Sequence, residues 1–104
     1  MPKFSIITPT YNRADGRLQR CMTSVLAQVY DDYEHVIVDD GSTDDTEAVC
    51  AGFPVRYVRI EHGGRVVARN VGMAAAEGEW QCWLDSDDAL DMMYLATLAH
   101  HIEQ

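Results

Sequence analysis

At 104 residues, 47% of them apolar, the chain has room for one hydrophobic core and none for a second domain. Its net charge is −9 at pH 7 and its eight Lys and Arg are scattered, so no basic stripe exists to follow a nucleic-acid backbone. An anionic ligand on such a chain needs a metal ion or a local Arg, and no apolar run approaches the ~20 residues of a membrane span.

Taken in order, Phe4 to Thr8 (FSIIT) reads as a short buried strand ended by Pro9. From about Arg17 the spacing of Leu18, Met22, Val25, Leu26 and Val29 predicts a helix with one apolar face. Glu34 to Asp39 is the second predicted strand. Gly41 supplies a turn, and Ser42 with Asp45 fits a capping box for a helix running to Cys50. Val55 to Ile60 is the third strand. After Gly63 and Gly64 comes a helix with Val67, Val71, Ala74 and Ala75 facing inward and an end at Gly78. Trp80 to Leu84 is the fourth strand, with its two Trp expected to pack on opposite faces of the sheet, and Leu95, Leu98 and Ile102 mark a last helix.

Strand and helix alternating throughout predict an α/β fold: a doubly wound, mainly parallel, Rossmann-like sheet whose ligand binds at the carboxyl ends of the strands. Two acidic tips fall there, Asp39 and Asp40 in VIVDDGSTDDTE, and Asp85, Asp87 and Asp88 in WQCWLDSDD. Neither a G-x-G-x-x-G nor a G-x-x-x-x-G-K-[ST] is present, so dinucleotide and P-loop readings fall. The DDGSTDD run cannot be an EF-hand loop, because Val36 would take the first ligand position.

Asp before Gly is ordinary turn chemistry. Successive residues of a strand nevertheless point to opposite faces, so one of Asp39 and Asp40 can cap the turn while the other meets a ligand through acceptor-only oxygens. Asp85 and Asp87, two apart, point the same way in an extended segment and suit one hard cation, Mn2+ or Mg2+. The competing reading has Asp85 to Asp88 capping the last helix.

SIITPTYNR, VIVDDGSTDDT, GGRVVARNVGMAAAEGEW and CWLDSDD, in that order, resemble the amino-terminal half of a family 2 glycosyltransferase with the GT-A fold. The resemblance covers essentially the whole chain. It implies a nucleotide-diphospho-sugar-binding domain over residues 1–104 and an inverting transfer of sugar from a nucleoside diphosphate sugar, first of all a UDP-sugar, to an acceptor hydroxyl. By the same resemblance Thr8, Pro9, Tyr11 and Asn12 line base and ribose, Asp40 reads the base with Asp39 beside it, and Arg65 contacts the nucleotide. Asp85 lies near ribose and metal, Asp87 on the metal. Arg69 and Asn70 match a structural ARN.

Family members are longer, and their second half supplies the acceptor pocket and an Asp or Glu as general base. Asp91 and Glu103 are the only acids after DSDD, so the base is expected outside this chain, which reads as the donor-binding half. A silent nucleotide-binding or interaction module is the alternative. An aspartate phosphatase is disfavoured, because its later Lys is missing: Lys3 stands alone.

His62 reads as a loop residue and His100 and His101 as solvated. Cys21, Cys50 and Cys82, without CxxC spacing, are expected to be buried reduced thiols of a cytoplasmic protein. The amino terminus has too short an apolar run for a signal peptide. An open edge at Trp80 to Leu84 makes a homodimer an expectation.

Overall fold

The four apolar runs form one sheet in the computed structural model, which describes residues 1–104. Strands β1 (Phe4–Thr10), β2 (Tyr33–Asp39), β3 (Arg56–Arg59) and β4 (Trp80–Trp83) lie in the order β3-β2-β1-β4, and every pair is parallel. Helices α1 (Arg17–Leu26), α2 (Thr46–Cys50), α3 (Arg65–Ala75) and α4 (Tyr94–Ile102) fill the crossovers and the carboxyl end. The chain steps outward from β1 to β3 and then returns across the sheet to β4. Right-handed crossovers of opposite direction put helices on both faces.

The core divides accordingly. Phe4, Ile6, Cys82 and Leu84 pack with Cys21, Val25, Leu95 and Ala99 of α1 and α4, while Ile37 meets Leu18, Met22 and Cys50 of α1 and α2. On the other face Val36 and Val38 pack on Ala68 of α3. Burial pushes the Cys21 and Cys50 thiols up to about 11, so these free cysteines are protonated packing groups at neutral pH.

Four details depart from the sequence reading. Pro9 does not end β1, which runs to Thr10. Its missing N–H faces the β4 side, where pairing has already stopped at Ile7 and Trp83, so no ladder bond is lost. α1 ends at Leu26, leaving Leu26 and Val29 mostly exposed. There the buried Gln28 turns inward, donating to the Asp91 carbonyl at 2.7 Å and accepting from Leu95 N–H at 3.1 Å. That bond satisfies a first-turn N–H of α4.

Ser42 and Asp45 form no capping box. Asp44 accepts from Thr46 N–H instead, and Ser42 Oγ accepts from Asn12 N–H. In α3 the inner face is carried by Ala68 and Gly72, while Val67 and Ala74 are exposed and the helix stops at Ala75. A Cβ at Gly72 would collide with Ile7, so the helix sits closer to the sheet than any side chain at position 72 would allow.

Candidate functional site

All four loops at the carboxyl ends of the strands meet around one cleft of about 200 Å3. Pro9, Thr10, Tyr11 and Arg13 come from the exit of β1, Asp40 from β2, His62, Gly64 and Arg65 from the β3–α3 turn, and Ser86 from the exit of β4. Of the residues singled out from sequence, Pro9, Tyr11, Asp40 and Arg65 line it. Thr10, Arg13, His62 and Ser86 were not anticipated. Arg65 is exposed and makes no ion pair within the chain, which leaves its charge available. Arg13 donates to the Tyr11 carbonyl at 3.1 Å.

Thr8, Asn12, Asp39 and Asp85 lie outside the lining. Thr8 is fully buried, with its hydroxyl 2.8 Å from His35 Nε2. Asn12, held at φ 53, ties two loops together: its N–H donates to Ser42 Oγ at 2.9 Å and its Oδ1 accepts from Thr43 N–H at 2.8 Å. Such local side-chain bonding is what lets Asn occupy the left-handed region.

Asp39 and Asp40 diverge as extended neighbours do. The fully buried Asp39 accepts from Ser42 N–H at 2.9 Å, from Tyr57 Oη–H and from Arg59 at 3.1 Å. Burial first, and then the Asp39 carboxylate, push the Tyr57 hydroxyl up to about 12, which keeps it a donor. Asp40 faces α3. Its Oδ1 accepts from Gly63 N–H at 2.9 Å and its Oδ2 from Gly64 N–H at 3.1 Å, with His62 Nδ1 3.0 Å away. Asp40 therefore holds the turn that opens α3. His62 lies against Tyr11, ring centroids 4.4 Å apart.

Beside Ser86 the carboxylates of Asp85, Asp87 and Asp88 converge, one oxygen of each lying within 4.8 Å of the others. A turn closed by Asp88 N–H on the Asp85 carbonyl at 3.0 Å gathers them, not the extended segment expected. That geometry adds Asp88 to the pair. The helix-cap alternative fails, because α4 starts only at Tyr94 and Asp91 serves the preceding turn through Met93 N–H. None of the three makes an ion pair with Lys or Arg, and like charges so close favour a shared cation. An all-oxygen set suits Mg2+ or Mn2+. Arg69 lies 5.4 Å from the Trp83 ring centre, a packing role.

Residues 5–104 match the sequence model of Glycosyl transferase family 2. The chain is 35% identical over 101 residues to Glycosyltransferase GlyA of Streptococcus pneumoniae serotype 4, covering 92% of this chain and 14% of that protein. With Glycosyltransferase GlyG of the same organism it shares 34% over 106 residues, 96% of this chain and 35% of the other. Among solved structures, S. aureus TarS 1-349 in complex with UDP-GlcNAc aligns with a TM-score of 0.91 at 33% identity, over 97% of this chain and 31% of that one. The mannosyltransferase PcManGT from Pyrobaculum calidifontis, in complex with GDP-Man and Mn2+, aligns at 0.86 and 26%, over 99% and 33%. The chain thus spans about a third or less of the length of these relatives. No helix is long and apolar enough to cross a membrane. With four parallel strands, a cleft at their carboxyl ends and a match over nearly its whole length, the chain has the GT-A fold and belongs to glycosyl transferase family 2.

Proposed function

We propose that the chain is the donor-binding part of a glycosyltransferase that moves a sugar, with inversion, from a nucleoside diphosphate sugar to an acceptor hydroxyl, a UDP-sugar being the first candidate. The carrying observation is the adjacency of a cleft lined by Tyr11 and Arg65 to the three-carboxylate cluster beyond Ser86. TarS and PcManGT, solved with UDP-GlcNAc and with GDP-Man and Mn2+, support that reading.

Tyr11 offers an aromatic face to the nucleoside and Arg65 an unpaired cation to the phosphates. Asp87 and Asp85, with Asp88, are the proposed holders of Mn2+ or Mg2+. Such an ion would neutralise the diphosphate and the charge that develops on it as the sugar departs. Without it, the carboxylates would repel the ligand. Thr8, Asn12 and Asp39 support the site from behind, through the hydrogen bonds that fix its loops.

The acceptor pocket and general base are proposed to lie in other parts of such an enzyme. Asp91 is taken up in a loop hydrogen bond, and Glu103 is exposed at the far end of α4. The buried free thiols suit a cytoplasmic setting.

Calorimetric titration of the chain with UDP, GDP, CDP and ADP in Mn2+ tests the donor reading. Saturable binding of at least one nucleoside diphosphate is expected. Heat of dilution alone for all four would remove the proposal.

A further inference from the structure

Residues 84–93, between β4 and α4, carry the three carboxylates but form neither helix nor strand, so their backbone groups must find partners elsewhere or face water. One side of α1 supplies several. Arg20 donates through Nη2 to the Asp87 carbonyl at 2.8 Å, Ser24 Oγ accepts from Leu90 N–H at 2.9 Å, and Gln28 donates to the Asp91 carbonyl at 2.7 Å. Residues four apart on a helix share one face, and Gln28, just past the end of α1, continues the row. Val29 N–H on the Met92 carbonyl at 3.0 Å extends it. Ser24 is itself held, its hydroxyl donating to the Cys21 carbonyl at 2.7 Å, which leaves its oxygen to accept from the loop.

The same helix starts from the cleft. Leu18 N–H donates to the Arg13 carbonyl at 3.0 Å, and Gln19 donates to the Ala14 carbonyl at 2.9 Å while accepting from Gly16 N–H at 3.0 Å. One rigid element therefore meets the cleft loop at its head and the carboxylate loop along its flank. Arg20 grips Asp87 by the backbone and forms no ion pair with any of the three carboxylates. The neighbouring cation, Arg17, is taken up by Asp15 at 2.8 Å. The loop is held while its carboxylates stay free. Because Arg20 is exposed, a contact of this kind adds little to stability; what it fixes is the geometry of the turn.

We propose that Arg20, Ser24 and Gln28 are positioning residues for the metal, a ridge that sets the turn gathering Asp85, Asp87 and Asp88 and its distance from the cleft. This rests on the donor-binding reading. It gives a part in that reading to α1, which contributes no residue to the cleft lining or the cluster.

The test titrates Mn2+ into the chain and into Arg20→Met and Ser24→Ala, with and without UDP, reading free Mn2+ by electron paramagnetic resonance. The sign of the change separates the two roles open to Arg20. Loss of a positive charge beside three carboxylates would by itself tighten Mn2+, whereas loss of positioning should weaken it about tenfold, the lower end of what outer partners of metal ligands contribute. Ser24→Ala changes no charge and should weaken Mn2+ in the same direction. Arg20→Lys, which keeps the charge and a donor for the same carbonyl, should recover most of the affinity. The urea midpoint of Arg20→Met, measured without metal, should move little. Unchanged or tighter Mn2+ binding in Arg20→Met or Ser24→Ala, or a loss undiminished in Arg20→Lys, would overturn the proposal while leaving the metal reading intact. No Mn2+ binding by the unsubstituted chain, even with UDP present, would overturn both.

Discussion

Asp39 and Asp40 are adjacent in the chain, yet their carboxylates brace opposite sides of the sheet edge, Asp39 toward Tyr57 and Arg59 and Asp40 toward the Gly63–Gly64 turn. Asp39 is wholly buried. Asp39→Asn would turn an amide N–H toward two donors, and the expected loss is on the order of 1–3 kcal/mol. The Arg59 end is half-exposed, so little of this comes from the ion pair itself. Urea unfolding should show a lowered midpoint at constant slope; an unchanged midpoint would mean that the network does not hold the edge.

Gly41 links the two halves of the cleft. At φ 75 and with His62 N in the path of any Cβ, Gly41→Ala is strained in both backbone and contact, at a cost of roughly 1–3 kcal/mol. The expected signature is selective: amide shifts in the NMR spectrum concentrated at residues 61–65. Shifts confined to residues 40–42 would show that the two turns are not coupled.

Much of this was legible in the residues. Apolar runs placed the strands and a 3.6 period or a turn signal the helices, because the central strands bury side chains on both faces of the sheet while a helix buries one stripe. The reading slipped in α3, where Gly72 makes the closest approach with no side chain for a periodicity to register. Pro9, Tyr11, Asp40 and Arg65 were found because they leave predicted strands or enter a predicted helix. His62 and Ser86 were not, since only the packing of separate loops brings them to the cleft. Asp88 joined the carboxylates because the chain turns at Ser86, which no spacing argument for an extended segment foresees.

Acid should unfold the chain partly through His35. Burial pushes its imidazole from 6.5 down to about 4, so as pH falls the unfolded chain takes up the proton first. The contribution is fully present above pH ~6.5 and is lost on the way down to about 4. Between pH 7 and 4.5 that loss is on the order of 2–3 kcal/mol. In His35→Leu, less stable throughout because Thr8 loses its partner, the dependence should be shallower by that amount. Parallel pH profiles of the two proteins would contradict it.

β4 is an edge strand, with Trp80 and Trp83 46% and 43% exposed. Their failure to bury on the two faces follows from that position. The groove alongside Phe4, Leu98 and Ile102 is apolar, and we propose that a second copy covers it. Light scattering should show mass rising toward a dimer with concentration, and Trp80→Lys should abolish the rise. A monomer mass at every concentration would end this idea.

The central claim is that the Asp85, Asp87 and Asp88 cluster links metal to nucleotide diphosphate. Its most direct test is the melting shift produced by UDP in Mn2+ and in EDTA, for the chain and for Asp87→Asn. At about 100 times its dissociation constant a ligand adds about 2.7 kcal/mol, several degrees for a domain of this size. The account predicts a shift of that order in Mn2+, a much smaller one in EDTA, and no difference between the two conditions in Asp87→Asn. Equal UDP shifts in Mn2+ and EDTA for the unsubstituted chain would contradict it.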